Sequence, residues 1–278
     1  MAPEPIPLLL VDIGNTAIHW APYDGEWSAG RRVWTRAINN FGPQFDAEIK
    51  IERSRREPRG WPEAAVVCSV VPEATERMSA ELERRRIPVL LLGHTLKASM
   101  PVQYHDPSQL GQDRLANAAG AFREVGGKAI VVDVGTAITV DAVSDDGEFL
   151  GGAIAPGPHR AWRGLMVGVH GPGFAMVDTA WLEHRPRSEP KPIGHNTQQC
   201  LDAGLRIGFA GLVDRLIREQ RREIGEDAPV LWTGGAAPIL REHSDEPGEL
   251  DEILTLKGLA AIYETDHEPK SDEPTEDS

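Results

Sequence analysis

At 278 residues the chain has room for one large domain or two halves of about 140 residues, since domains commonly run to roughly 100–200. An apolar content of 40% with seven Trp supplies core material for both halves. The formal net charge is -14, no basic stretch offers a nucleic-acid footprint, and no apolar run approaches the roughly 18 residues that a membrane helix needs.

The first predicted elements form a meander. "IPLLLVDIGNTAIHWAPYDGEWSAGRRVW" reads as strand, Gly-Asn break, strand, Asp24-Gly25 hairpin turn and strand. "AAVVCSVVP", residues 64 to 72, is a short buried strand stopped by Pro72, "EATERMSAELERRR" is an amphipathic helix, and "VLLLG", residues 89 to 93, is a further core strand. "DRLANAAGAFREV", residues 113 to 125, is a helix with Asp113 in N-cap position. "AIVVDVGTAITVDAVSDDGEFLGGAIAPG" then repeats the opening meander, with its break at Gly135, its hairpin at Asp146-Gly147 and a third strand closing at Gly151-Gly152. Prolines and glycines between Ala155 and Pro192 predict loops around one helix. "NTQQCLDAGLRIGFAGLVDRLIREQRREIG" supports one long helix or two stacked ones, and "PVLWTGG" is a strand with a glycine turn. Between Glu264 and Ser278 seven acids stand against one lysine, the composition of a solvated, disordered tail.

The repeated unit carries the chemistry. Asp12 in "VDIGNT" and Asp133 in "VDVGTA" lie 121 positions apart, each at the end of a buried strand before a glycine turn. Such a turn exposes a concave run of backbone N–H groups that suits phosphate oxygens, and Gly14 and Gly135 allow close approach because they lack Cβ. Asn15, Thr16 and Thr136 add neutral donors. A carboxylate beside a phosphate repels it unless a cation lies between, so Asp12 and Asp133 read as cation holders. Two such turns facing each other across a cleft would grip a triphosphate from both sides. Taken singly, each copy is equally an Asx-type β-turn. The chain has no G-x-x-x-x-G-K-[ST] motif and no G-x-G-x-x-G after a strand. Paired Asp-x-Gly turns also occur in aspartic proteases, but Ile13 and Val134 stand where those carry a hydroxyl, and the long helices disagree with a nearly all-β enzyme.

In order along the chain, Asp12 to Thr16, "SVVP" (Ser69 to Pro72), "YHDPSQLGQDR" (Tyr104 to Arg114), "DVGTAITVD" (Asp133 to Asp141), "GGAIAPG" (Gly151 to Gly157), "GHNT" (Gly194 to Thr197) and "TGG" (Thr233 to Gly235) resemble the type III pantothenate kinases, from about residue 8 to about 263. The resemblance implies an α/β fold of two duplicated ribonuclease-H-like, actin-like halves around a central cleft, with lobes at 1–122 and 123–263 and an acidic tail at 264–278. It implies ATP-dependent phosphorylation of pantothenate, the first step of coenzyme A synthesis, by a cytoplasmic homodimer whose substrate site lies near the subunit interface. The cofactors implied are Mg²⁺ and a monovalent cation, K⁺ or NH₄⁺. By motif match, Asp12, Ile13, Gly14, Asn15, Thr16, Ala17, Ile18 and His19 line the ATP phosphates, Thr136 contacts ATP and Asp133 binds the monovalent cation. Tyr104, Gly111, Gln112, Asp113, Arg114 and Thr197 hold pantothenate, with Asp113 as proton acceptor. Two other readings fit the same turns: a non-catalytic accessory-factor-like regulator, and another small-molecule kinase of the superfamily.

Several residues remain open. Asp113 is a helix cap or the group that orients the acceptor hydroxyl, and Arg114 pairs with a substrate carboxylate or with a neighbouring acid. Gln112 stands where a small or apolar residue is usual and is expected to point away from substrate. His94, His105, His159, His170 and His195 have no metal-ligand spacing and are expected in loops or on the surface. Trp20, Trp27 and Trp34 are expected as core or dimer packing, and Trp232 is a candidate for contact with the nucleotide base. Cys68 and Cys200 are expected as buried thiols of a reducing compartment.

Overall fold

The computed structural model describes residues 7–25, 27, 34–37, 62–167 and 189–267. Its contacts divide into two compact units, Met1–Ser99 with Thr255–Ser278, and Met100–Leu254.

The first unit is built on a five-stranded sheet. Strands β1 (Leu8–Ile13), β2 (Ala17–Tyr23), β3 (Trp34–Ala37), β4 (Ala64–Ser69) and β5 (Val89–Leu91) lie in the order β3-β2-β1-β4-β5. β1 pairs antiparallel with β2 and parallel with β4. The central strands are near-continuous apolar runs because both faces are covered. Helix α1 (Pro72–Glu83) turns Met78 and Leu82 onto the face carrying Val11, Ile13, Ile18, Trp20 and Val67. β4 ends at Ser69, so Pro72 starts the helix rather than stopping the strand, a place where its missing N–H costs nothing. β5 is only half-buried and ends at Leu91, an edge strand rather than a core one.

The second unit repeats the plan. Helix α2 (Gln112–Val125) precedes β6 (Ala129–Val134), β7 (Ala137–Val143) and β8 (Phe149–Pro156). Helix α3 (Pro158–Met166) follows, then α4 (Thr197–Ala203), a π-helical turn at Gly204–Gly208 and α5 (Phe209–Ile224). The expected long helix is thus continuous but widened by one π turn. β9 (Val230–Thr233), α6 (Ala237–Arg241) and β10 (Glu249–Leu250) complete the unit, and α7 (Leu254–His267) leads into the final segment of the first. The sheet order is β10-β9-β6-β7-β8, with β6 antiparallel to β7 and parallel to β9. β6 and β7 therefore stand where β1 and β2 stand in the first sheet. This is the duplicated ribonuclease-H-like α/β topology expected from the sequence.

The second sheet sorts its faces cleanly. Ile130, Val132, Val134, Ile138 and Val140 pack with Val213 and Ile217 of α5 and Leu240 of α6. Val131 packs on the other face with Ala121 of α2. Because side chains alternate along a strand, Asp133, Thr139 and Asp141 belong to that α2 face. β8 runs through Gly151 and Gly152 instead of closing there. Among the described residues no helix is long and apolar enough to cross a membrane.

Candidate active site

The start of α2 gathers a group of polar side chains, buried Arg114 and Asn117 among them. Gly111 is the N-cap and Asp113 the second helical residue, which corrects the expectation that Asp113 caps the helix. Its carboxylate accepts the Arg114 N–H at 2.8 Å and lies back over Gly111, where a Cβ would approach Asp113 Oδ1 to 2.5 Å. Glycine at 111 is what leaves the Asp113 carboxylate its space. Gln112 turns its amide to the Leu110 carbonyl at 3.1 Å.

Arg114 does not present a free charge. Only 6% of it is exposed, and its Nε donates to both oxygens of Asp141, at 3.2 and 3.0 Å, while Nη2 donates to Asp141 Oδ1. Of the two alternatives for Arg114, the neighbouring acid is the observed partner. Nη1 donates to the Tyr104 hydroxyl at 2.9 Å. Burial works against the guanidinium charge, but the hydrogen bonds and charge of Asp141, then Tyr104, raise the Arg114 pKa above its ordinary value. Burial also pushes Asp141 up, against the pull of Arg114; with the guanidinium held protonated, the two form a buried salt bridge.

One turn further along α2, buried Asn117 donates from Nδ2 to Asp133 Oδ2 at 3.0 Å. Burial, and next the negative charge of Asp113, push the Asp133 carboxyl up to about 7, with Asp141 adding to the rise. Three carboxylates and one guanidinium thus meet between α2, β6 and β7.

Three glycine turns close on the end of β6. In the β6–β7 turn, Gly135 spends its N–H on the Ala137 carbonyl at 2.9 Å, and the Thr136 carbonyl accepts from Gly157 at 3.1 Å. A Cβ at Gly157 would collide with the Gly135 and Thr136 carbonyls. A Cβ at Gly234, whose φ is +91°, would strike Asp133 Oδ1 and the Val134 backbone. The N–H of Gly135 is already used within the turn, and so is that of Gly14, which donates to Ala17 at 3.0 Å. In both turns any ligand must find its donors beyond the glycine.

The first unit repeats the turn with different equipment. Asp12 pairs across the sheet with His19 on β2 and Cys68 on β4, as Asp133 pairs with Thr139 and Thr233. The Cys68 thiol donates to Asp12 Oδ1 at 3.3 Å, and burial lowers the His19 pKa, favouring the neutral ring. Asn15 and Thr16 are exposed at the tip; Ile13 and Ile18 are core.

Other expected positions scatter. Thr197 opens α4 behind the Asn196 cap, while the α2 network brings together Tyr104, Gly111, Asp113, Arg114 and Asp133. Trp232 is fully buried with its Nε1 donating to the Glu246 carbonyl at 3.1 Å, a core residue and not a base contact. Cys200 is exposed, against expectation, because the start of α4 turns it outward; Cys68 is buried. Trp20 is core and Trp27 lies against Tyr23, with ring centroids 5.1 Å apart. The Trp34 side chain, His170 and residues 268–278 of the tail lie outside the described residues. Asn117 and Asp141 are the members that sequence reasoning missed. Their signals are the i, i+4 step from Asp113 and the register that sets Asp141 opposite Gly152.

Comparison with known proteins gives one family. The sequence model of the family described as type III pantothenate kinase matches residues 8–219. Relatives of that description include one from Moorella thermoacetica, 37% identical over 262 residues that cover 92% of this chain and 98% of the relative. Another, from Streptomyces griseus subsp. griseus, is 38% identical over 277 residues, with coverage of 92% and 97%. Among solved structures, a Campylobacter jejuni protein described under the Baf family of transcriptional activators aligns over 93% of this chain and 98% of its own. Its TM-score is 0.52 at 20% identity, a likeness of fold alone.

Proposed function

Since this chain belongs to the type III pantothenate kinase family, we propose that it transfers the γ-phosphoryl group of ATP to the terminal hydroxyl of pantothenate. The products are 4'-phosphopantothenate and ADP, and the reaction opens coenzyme A biosynthesis. The observation that carries this reading is the carboxylate of Asp113, fixed by the Arg114 N–H over Gly111 at the head of α2 and grouped with Asp133 beside the β6–β7 turn.

Phosphoryl transfer asks a protein mainly for positioning and charge stabilisation through a loose transition state. Asp113 therefore orients the acceptor hydroxyl and takes its proton as the new O–P bond forms and the bond to ADP breaks. Tyr104 and Arg114 hold pantothenate as a unit, with Thr197 completing the substrate set by motif match, and Thr136 together with Asp12 to His19 serves ATP.

The residues fit the cations that such a kinase takes. Asp113, Asp133 and Asp141 answer to one guanidinium, so this group has an excess of negative charge and hard oxygen donors. Among the described residues no cluster of three metal-ligating side chains forms. A cation here would accordingly be held by one carboxylate together with phosphate oxygens and water, the way Mg²⁺ is usually bound in kinase sites. Asp133 is the residue for the monovalent ion, K⁺ or NH₄⁺, and Asp12 for the metal at the phosphates. When bound, these cations neutralise charge on the phosphate oxygens. The same reading includes a cytoplasmic homodimer; edge strand β8, with Ile154 64% exposed, supports a surface that a second copy covers.

The deciding experiment is purified protein with ATP, Mg²⁺ and pantothenate in K⁺ or in Na⁺ buffer, with phosphopantothenate followed by mass. Product formed faster in K⁺ is expected; none in either buffer refutes the reading. Asp113→Asn should lower kcat by about 10²- to 10⁴-fold, the usual contribution of a positioned proton acceptor, while ATP still binds.

A further inference from the structure

We propose that Asp141 is a positioning residue of the acceptor subsite: it holds the Arg114 guanidinium in place so that Arg114 fixes the Tyr104 hydroxyl. This rests on the kinase reading above and assigns a role to a residue that touches neither ATP nor pantothenate.

A buried ion pair is poor evidence for stability, because the cost of desolvating both charges offsets most of their attraction, and apolar replacements often do as well. Asp141 and Arg114 are 1% and 6% exposed, yet the surroundings are shaped to keep them. Asp141 stands opposite Gly152 of β8, where a Cβ would collide with Asp141 Oδ1 and with the Val140 carbonyl. Next to it, Gly151 has φ +114° and would set a Cβ 3.9 Å from Tyr104 Cε2. Gly152 thus makes room for the Asp141 end of the chain Asp141–Arg114–Tyr104, and Gly151 lies alongside its Tyr104 end. Phe149 covers it: the guanidinium carbon lies 5.4 Å from the Phe149 ring centre and 5.8 Å from that of Tyr104, and the two rings are 5.9 Å apart. The segment before Tyr104 is pinned as well, since Phe149 donates its N–H to Pro101 and accepts that of Gln103, both at 2.9 Å.

The hydrogen-bond directions say what the chain is for. Asp141 takes Nε and Nη2 of the fork, so the planar guanidinium cannot rotate and Nη1 is aimed at Tyr104. The Tyr104 oxygen accepts that bond, which turns its own proton towards an acceptor elsewhere. A half-buried tyrosine O–H held by Arg114 in this way suits an oxygen acceptor on the substrate, and pantothenate has carboxylate and amide oxygens. Through the Arg114 N–H, the same residue also fixes the Asp113 carboxylate.

The test compares wild type, Asp141→Asn, Tyr104→Phe and the double variant in steady-state assays, with melting temperatures measured in ATP to establish folding. Asp141→Asn should raise KM for pantothenate by about 10-fold or more, the scale of a lost charge-assisted hydrogen bond, and leave KM for ATP within about twofold. Tyr104→Phe should do the same, and the double variant should be no worse than the more affected single one, because both act on one contact. Arg114→Lys keeps a positive charge against Asp141 but cannot span both partners, so it gives the same pantothenate-selective rise if Asp141→Asn fails to fold. Equal losses for both substrates, an unchanged KM for pantothenate in the folded variants, or multiplying effects in the double variant overturn the proposal. Wild-type protein that makes no phosphopantothenate overturns the kinase reading itself; active wild type with an unaffected Asp141→Asn overturns this inference alone.

Discussion

Asn117 is a buried amide that donates to Asp133. Replacing it with Leu keeps the volume but leaves a carboxylate oxygen without that donor, a loss worth about 1–3 kcal/mol for a buried polar group. Asn117→Leu should therefore lower the melting temperature and, if Asp133 holds the monovalent ion, raise the K⁺ concentration needed for half-maximal activity. A K⁺ response identical to wild type would separate Asn117 from the cation. At this scale the sequence disclosed the residues that sit in contiguous motifs, Asp12, Asp113 and Asp133. It did not disclose partners made by geometry: Asn117 reaches Asp133 because it lies one helical turn beyond Asp113, and Asp141 reaches Arg114 across the sheet. Nor could it tell that Asp113 is the second helical residue and not the cap, since Gly and Asp are both acceptable N-caps and only the local bonding distinguishes them.

Elements were legible where apolar periodicity is strong and where turns are marked by Gly or Pro. The first two strands of each meander, α1, α2 and β9 follow that rule. β8 does not, because two glycines inside a strand look like a stop. They are tolerated since β8 is an edge strand and the Asp141 carboxylate needs the space at Gly152. The π turn at Gly204–Gly208 has no periodicity signature at all, and glycine at both ends merely permits it. Element junctions carry their own test at Gly157, between β8 and α3, whose missing side chain lets that junction touch the Gly135–Thr136 turn. Gly157→Ala forces the turn apart: stability should fall by about 1–3 kcal/mol, as for other overpacked sites, and KM for ATP should rise more than KM for pantothenate. A rise confined to pantothenate would move the nucleotide away from the β6–β7 turn.

Across the whole molecule the sequence betrayed its architecture through duplication, and the two sheets share strand order, pairing sense and the alternation of core with open positions at each Asp turn. What duplication hid is how far the copies have diverged. Asp133 is served by an asparagine amid other carboxylates, whereas Asp12 is served by a thiol and flanked by a histidine that burial keeps neutral. On the kinase reading, Asp12 is the carboxylate of the first copy that holds the metal at the phosphates. Binding to the folded state alone stabilises it by about 2.7 kcal/mol at a hundredfold excess over Kd, and each kcal/mol moves the midpoint of a chain of this size by roughly 2–4 °C. ATP with Mg²⁺ at that excess should accordingly raise the wild-type melting temperature by about 5–10 °C. Asp12→Asn should remove most of that shift, because the variant keeps the size of the side chain and loses the charge that holds the metal at the phosphates. If the variant retained the full ATP-dependent shift, the first copy of the turn would have no part in holding nucleotide, and its carboxylate would need another explanation.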